Sequence, residues 1–200
     1  MDSHISNETS NRKLYINLIG QAGAGKTTVA EYLRVKYAFS LFRPSDTVRT
    51  YAKRHGIVLK SRQDYIACHR KMYDENPEVI TRAVINTEGD RICLDGLRAP
   101  IEVKALQKRC NMLTIALIAP PRIRFERVLA ERIKRKNRDA SNITTFESFQ
   151  ADEKADNMST DQRDPNVSTV LKMADFTVDT SIAAPEVLYK IDQIMKTFNR

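Results

Sequence analysis

The residues best suited to chemistry stand together near the start of the chain. Gly20-Gln21-Ala22-Gly23-Ala24-Gly25-Lys26-Thr27 matches the pattern G-x-x-x-x-G-K-[ST] in full. Glycines let the backbone curl until successive N–H groups point inward as an anion nest. A helix starting at the same place adds its positive end. Lys26 is a mobile point charge able to reach the β- and γ-phosphates of a nucleoside triphosphate. The Thr27 hydroxyl is a hard oxygen ligand for Mg2+. Ala22 and Ala24 are too small to block the phosphates. The pattern therefore predicts a site for ATP and Mg2+ built from Gly20, Gly23, Ala24, Gly25, Lys26, Thr27 and Thr28.

A second chemical group is Asp95. Arg91–Asp95 (RICLD) reads as a short strand ending in a carboxylate just before Gly96. In a parallel sheet, ligands bind at that carboxyl edge. A carboxylate there can hold Mg2+ through water or receive the acceptor's proton, so Asp95 joins Thr27 as a candidate metal ligand and Lys26 as a candidate catalytic residue. A third feature is residues 122–138, where eight cationic side chains stand against two glutamates. On composition alone this run is a solvated helix face.

These groups need elements to hold them. Residues 13–20 (KLYINLIG) are apolar and end at glycine, as a buried parallel strand does. Lys26–Tyr37 has helical spacing of Val29, Tyr32 and Leu33. Residues 37–42 suggest a second strand, with Ser45 or Asp46 N-capping a helix over 47–54 after Pro44. Helices follow over 63–73 and 77–87, the latter capped by Asn76 with Pro77 in its first turn. Arg91–Asp95 is the third strand, and a helix runs from Pro100 to about residue 109. Residues 112–119 (MLTIALIA) form the clearest central strand, followed by a helix from Pro121 to about residue 136. Residues 137–165 are polar and carry no strand signal. Helix over 166–173, strand over 176–178 and helix over 185–198 complete the chain. The alternation predicts a three-layer α/β/α fold with a five-stranded parallel sheet, one domain over 13–200 after a disordered tail of residues 1–12.

The chain has 200 residues and net charge +8. The sign suits an anionic partner, a class that spans nucleotides, cofactors and nucleic acid. No apolar run approaches the roughly 20 residues of a membrane helix. Cys68, Cys93 and Cys110 are odd in number and widely spaced, which suits reduced thiols in a cytoplasmic protein better than disulfides or zinc.

The phosphate loop, Ser45-Asp46-Thr47-Val48-Arg49, Asp95-Gly96-Leu97-Arg98 and the basic helix occur in the order found in P-loop nucleotide kinases. Over about residues 13–198 the chain resembles adenylate-kinase-like and dephospho-CoA-kinase-like proteins, and in particular adenylate-kinase-related proteins of archaea, which carry a similar D-G-[IL]-R. The resemblance implies acceptor-binding helices over about 45–88, with Arg49 and Arg98 on the acceptor phosphate and Asp46 capping its helix or touching the acceptor. It implies a small lid over about 137–165, with Arg132, Arg135 and Arg138 closing on the triphosphate. It also places the loop 181–184 beside the adenine ring. Two departures bear on specificity: Ser45 stands where a glycine is usual, and D-G-L-R replaces the G-F-P-R of adenylate kinases.

The resemblance implies ATP-dependent phosphoryl transfer to a small acceptor: a nucleoside or deoxynucleoside monophosphate, or alternatively dephospho-CoA. A GTPase switch is disfavoured, because no N-K-x-D element is present. A nucleic-acid 5′-hydroxyl kinase is permitted by the charge but lacks an aromatic-rich basic stripe; the chain has no Trp. A P-loop protein that binds nucleotide without turnover is the remaining class. No membrane partner is expected.

Overall fold

Leu14–Ile19 (β1) is buried at all six positions, the pattern of a central strand whose sheet is covered on both faces. The computed structural model describes residues 13–135, 145–155, 157 and 159–198. Four further strands flank β1: Ser40–Phe42 (β2), Arg91–Asp95 (β3), Asn111–Ile118 (β4) and Phe176–Asp179 (β5). Their order is β2-β3-β1-β4-β5, and every pairing is parallel. The helices are Lys26–Tyr37 (α1), Pro44–Arg54 (α2), Arg62–Glu75 (α3), Val79–Ile85 (α4), Pro100–Arg109 (α5), Pro121–Arg135 (α6), Phe146–Ala155 (α7), Val167–Leu171 (α8) and Ala184–Phe198 (α9).

Successive side chains of β1 enter opposite cores, as the pleat requires. Leu14, Ile16 and Leu18 pack with Val29 and Leu33 of α1 and with Ile191 and Met195 of α9. Tyr15 and Ile19 pack with Val48 of α2, Met72 of α3, Val84 of α4, Leu106 of α5 and Val170 of α8. This is the five-stranded α/β/α P-loop arrangement expected from the alternation of apolar runs.

Several boundaries differ from expectation. β2 is confined to Ser40–Phe42, because α1 runs through Tyr37 and closes on Ala38 in the left-handed region, φ 58°. α2 begins at Pro44, so Arg43 rather than Ser45 or Asp46 holds the N-cap position and Asp46 falls in the first turn. Proline suits that first position because it has no N–H to satisfy and its φ is preset. Asn76 does not open a helix at Pro77. It closes α3, and its Oδ1 accepts from the Glu78 amide at 3.1 Å, so α4 starts only at Val79.

The polar segment 137–165 holds, in its described part, a helix that the pattern did not signal. α7 is anchored by Phe149, which is fully buried, with its ring tilted 5.6 Å from that of Phe125 of α6 and stacked 6.4 Å from that of Phe146. Two aromatics in ten residues are too sparse for the helical period to stand out.

One polar residue interrupts the apolar β1. Asn17 is fully buried. Its side-chain amide donates to the Leu97 carbonyl at 3.2 Å, and its Oδ1 accepts from the Leu97 amide at 3.0 Å. This two-point clamp fixes the loop after β3 to the central strand across the carboxyl edge of the sheet. Asn17→Ala leaves both backbone groups buried and unpaired, which should cost about 2–4 kcal/mol in urea unfolding. A loss below the error of the linear extrapolation would show that the clamp is dispensable.

Candidate active site

Strand register brings the chemistry to one edge. Leu18 lies opposite Asp95, and Phe42 lies opposite Leu94. The loop after β1, Asp95 and Arg43 therefore leave the sheet side by side. Arg43 Nε approaches Asp95 Oδ2 at 3.4 Å, a partnership that no local motif signals and that only the sheet order reveals.

In the loop, every carbonyl from Gly20 to Gly25 accepts a hydrogen bond. Lys26 Nζ donates to the carbonyls of Gly20 and Gln21 at 2.7 and 3.1 Å. Arg124 donates to Ala22 at 3.3 Å and Arg127 to Gly23 at 3.3 Å. The Thr180 hydroxyl donates to Ala24 at 3.1 Å, and the Val29 amide closes the first turn of α1 on Gly25 at 3.1 Å. With the carbonyls so engaged, the first amides of α1 remain without intrahelical partners and form the positive end of an anion nest. Gly23 is indispensable to this turn: its φ is 74°, and a Cβ there would lie 2.3 Å from the Arg124 carbonyl oxygen. Gly25, at φ 87°, makes the left-handed entry into α1.

The nest opens onto a cavity of about 690 Å³ lined by Gly23, Ala24, Gly25, Lys26, Thr27, Thr28 and Arg127. A second cavity of about 720 Å³ is lined by Arg49, Asp95, Gly96 and Arg98 and also by Tyr65 and Glu102. Thus Arg49, Arg98 and Asp95 come together, as the expected acceptor site requires. Asp46 does not join them; it lines a separate cavity of about 460 Å³ with Thr50, Arg54 and His55. Arg138 lies outside the described residues, as do the side chains of Arg132 and Arg135.

Two arginines earlier in the basic helix, Arg124 and Arg127, hold the loop. Arg124 is only 6% exposed. Besides Ala22, it binds the Ala119 carbonyl at 2.8 Å and makes a two-point ion pair with Glu153 of α7, its Nη2 lying 3.0 Å from Oε2. Arg127 donates to the Thr180 carbonyl at 2.6 Å. The signal for these residues was positional: they lie in the first turns of α6, which leaves the sheet next to the phosphate loop. The charge run pointed at the helix without singling them out. Thr180, in turn, tethers the start of the loop expected beside the adenine ring.

Lys26 is the most perturbed group at the site. Its pKa falls to about 8, first through burial and then through the positive charge of Arg98, with Asp95 pulling the other way and Arg124 again lowering it. Between pH 8 and the ordinary 10.5 the ligand-free lysine is neutral, whereas polyphosphate restores its charge. Were ATP to occupy the nest, its binding at pH 8.5 should take up a proton, and affinity should weaken as pH rises through 8. Calorimetry in two buffers of different ionisation heat measures the uptake; Lys26→Met should abolish it.

A family profile described as an AAA domain matches residues 16–172. A UPF0200 protein of the archaeon Staphylothermus marinus is 30% identical over 122 residues, spanning 58% of this chain and 63% of that protein, just under two thirds of its length. A UPF0200 protein of Sulfurisphaera tokodaii is 24% identical over 183 residues, 90% of this chain and 95% of that protein. Among solved structures, a protein of Thermus thermophilus aligns with a TM-score of 0.60 at 15% identity, over 94% of this chain and 98% of that one. A shikimate kinase of Acinetobacter baumannii, in complex with shikimate, aligns with a TM-score of 0.56 at 15% identity, over 96% and 98% of the two chains. The archaeal relatives agree with the likeness read from Asp95-Gly96-Leu97-Arg98, and the structures share the P-loop kinase-like fold.

Proposed function

The chain belongs to the AAA-domain family, and from that premise we propose that it is an ATP-dependent phosphotransferase whose acceptor is a small phosphate-bearing molecule, in first place a nucleoside or deoxynucleoside monophosphate. The observation that carries this reading is the position of Lys26. It lines the cavity of the nest, and its Cε lies 3.9 Å from where a Cβ on Gly96, in the wall of the second cavity, would stand. A phosphoryl group moving between the two cavities would pass this cation. A protein built only to hold nucleotide needs no second cavity beside it.

In this reading the triphosphate lies on Gly20, Gly23, Ala24, Gly25, Lys26, Thr27 and Thr28. Lys26 turns from the Gly20 and Gln21 carbonyls to the β- and γ-phosphates. Arg98 and Arg49 hold the acceptor's anionic group in line, so most of the catalysis is positioning and charge stabilisation. Thr27 and Asp95 supply the hydroxyl and carboxylate oxygens that suit Mg2+, which would offset charge on the β- and γ-phosphates. For an acceptor with a hydroxyl nucleophile, Asp95 would instead receive its proton. Arg132, Arg135 and Arg138 remain candidates for closure over the phosphates.

Two arginines would hold a carboxylate as well as a phosphate. An ADP-release assay should therefore set nucleoside and deoxynucleoside monophosphates against dephospho-CoA and against shikimate, the ligand in the Acinetobacter structure. A 5′-hydroxyl oligonucleotide and an acceptor-free arm cover the other classes. Lys26→Ala should lower turnover roughly a thousandfold or more. The variant should stay folded, because relief of an unfavourably buried cation offsets the loss of its bonds to the Gly20 and Gln21 carbonyls. A folded variant that keeps near-normal turnover would falsify the catalytic reading.

A further inference from the structure

The acceptor cavity has a feature that holding a phosphate does not use. His69 of α3 and Glu102 of α5 both line it, yet they are 4% and 3% exposed. His69 Nε2 and Glu102 Oε1 lie 2.9 Å apart. His69 Nδ1 is buried without a partner among the described residues. Burying a carboxylate against a single imidazole is unfavourable unless further donors complete its shell. An apolar pair would pack between the two helices without that cost.

The pairing also sets the polarity of this wall. With one imidazole proton, Nε2 donates to Glu102, and Nδ1 is left with a lone pair. The pair then presents the Glu102 carboxylate as its acceptor and no free donor. Other residues of the cavity are of opposite character: Arg49, Arg62, Arg98 and Lys60 all line it. Tyr65 links the two characters. Its hydroxyl pKa is pushed up to about 12, by burial first and then by Glu102, while Arg98 and Arg49 act in the opposite sense. The cavity thus has an anion-binding part and a donor-seeking part within electrostatic reach of one tyrosine.

We propose that Glu102, oriented by His69, determines acceptor specificity by selecting a phosphorylated molecule whose end remote from the phosphate presents adjacent N–H donors. Among the nucleobases, guanine presents such a pair, its ring N–H beside its amino group. Adenine and cytosine place a ring nitrogen lone pair next to the amino group, which would face the carboxylate and be rejected. His69 acts here as a positioning residue. This inference rests on the acceptor-site reading above.

The test is isothermal titration of the full chain with GMP, IMP, AMP and ribose 5-phosphate, the last carrying the phosphate but no base. GMP should bind at least about tenfold more tightly than AMP, the effect of a buried hydrogen bond to a charged group. IMP, lacking the amino group, should fall between them. Glu102→Gln keeps the shape and the bond from His69 but turns one acceptor into a donor; it should abolish or invert the GMP preference while leaving ribose 5-phosphate binding unchanged. His69→Ala should narrow the GMP-to-AMP ratio, and His69→Gln, which can still donate to Glu102, should restore it. Equal affinities for GMP and AMP in the native chain, or a ratio unchanged in Glu102→Gln, overturn the assignment of Glu102. Ribose 5-phosphate binding that Arg98→Ala does not weaken overturns the acceptor-site reading itself.

Discussion

A phosphate site made of backbone amides can exist only if the carbonyls of the same residues are turned elsewhere and satisfied there. From Gly20 to Gly25 this constraint is met at all six carbonyls, and the donors come from four parts of the chain: Lys26 and Val29 in α1, Arg124 and Arg127 in α6, Thr180 after β5 and, for the Gln21 carbonyl a second time, the Ala24 amide. The glycines permit the curl, but the long-range donors hold it. This is why the site depends on strand order. β4 and β5 lie on one side of β1, so the elements that follow them reach the loop from that side, while β3 on the other side delivers Asp95 and Arg98. The groups that hold the loop and the groups that line the second cavity thereby lie on opposite flanks of one strand.

The same arrangement gathers more cations than carboxylates around the loop among the described residues. Arg98 and Arg124 both act on Lys26, with Asp95 as the opposing charge, and Asp95 is shared with Arg43. Repulsion of this kind lowers stability in the ligand-free protein and is relieved when a polyanion enters. The lowered pKa of Lys26 expresses that tension in one group. A site balanced internally by carboxylates would be more stable without ligand and would have less to gain from binding a polyanion.

How much of this could be read from the sequence follows from the range of each interaction. The loop, α1, β3, α5 and the central strands were legible because their signals are local: glycine and proline positions, apolar runs and caps. The placing of Asp95 beside the loop followed from the general rule for parallel sheets. Arg43, Arg124, Arg127 and Thr180 were not legible as a set, because each acts on a partner 50 or more residues away and carries no distinguishing spacing. Asn17 was hidden for another reason. A single polar residue in an apolar strand reads as a weak point, whereas here it ties β1 to the loop after β3. The capping errors at Asn76 and Asp46 share one cause: several capping residues lay close together, and proline geometry or an Asx turn chose among them.

The acidity of the segment after α6 also finds its reason in this packing. Glu153 belongs to a region that would be expected to be basic if its whole purpose were to close on phosphates. Yet Arg124 is nearly sealed, and the carbonyls of Ala22 and Ala119 can satisfy its hydrogen bonds without cancelling its charge. A buried guanidinium needs an anion, and Glu153 is that anion, brought in on α7 by the clustering of Phe125, Phe146 and Phe149. Docking of α7 and the shape of the phosphate loop are therefore coupled through one side chain: Arg124 binds the loop at Ala22 and the helix at Glu153. Displacing α7 would expose an uncompensated charge directly behind the nest, so any ligand that strengthens the hold of Arg124 on the loop also strengthens the seating of α7.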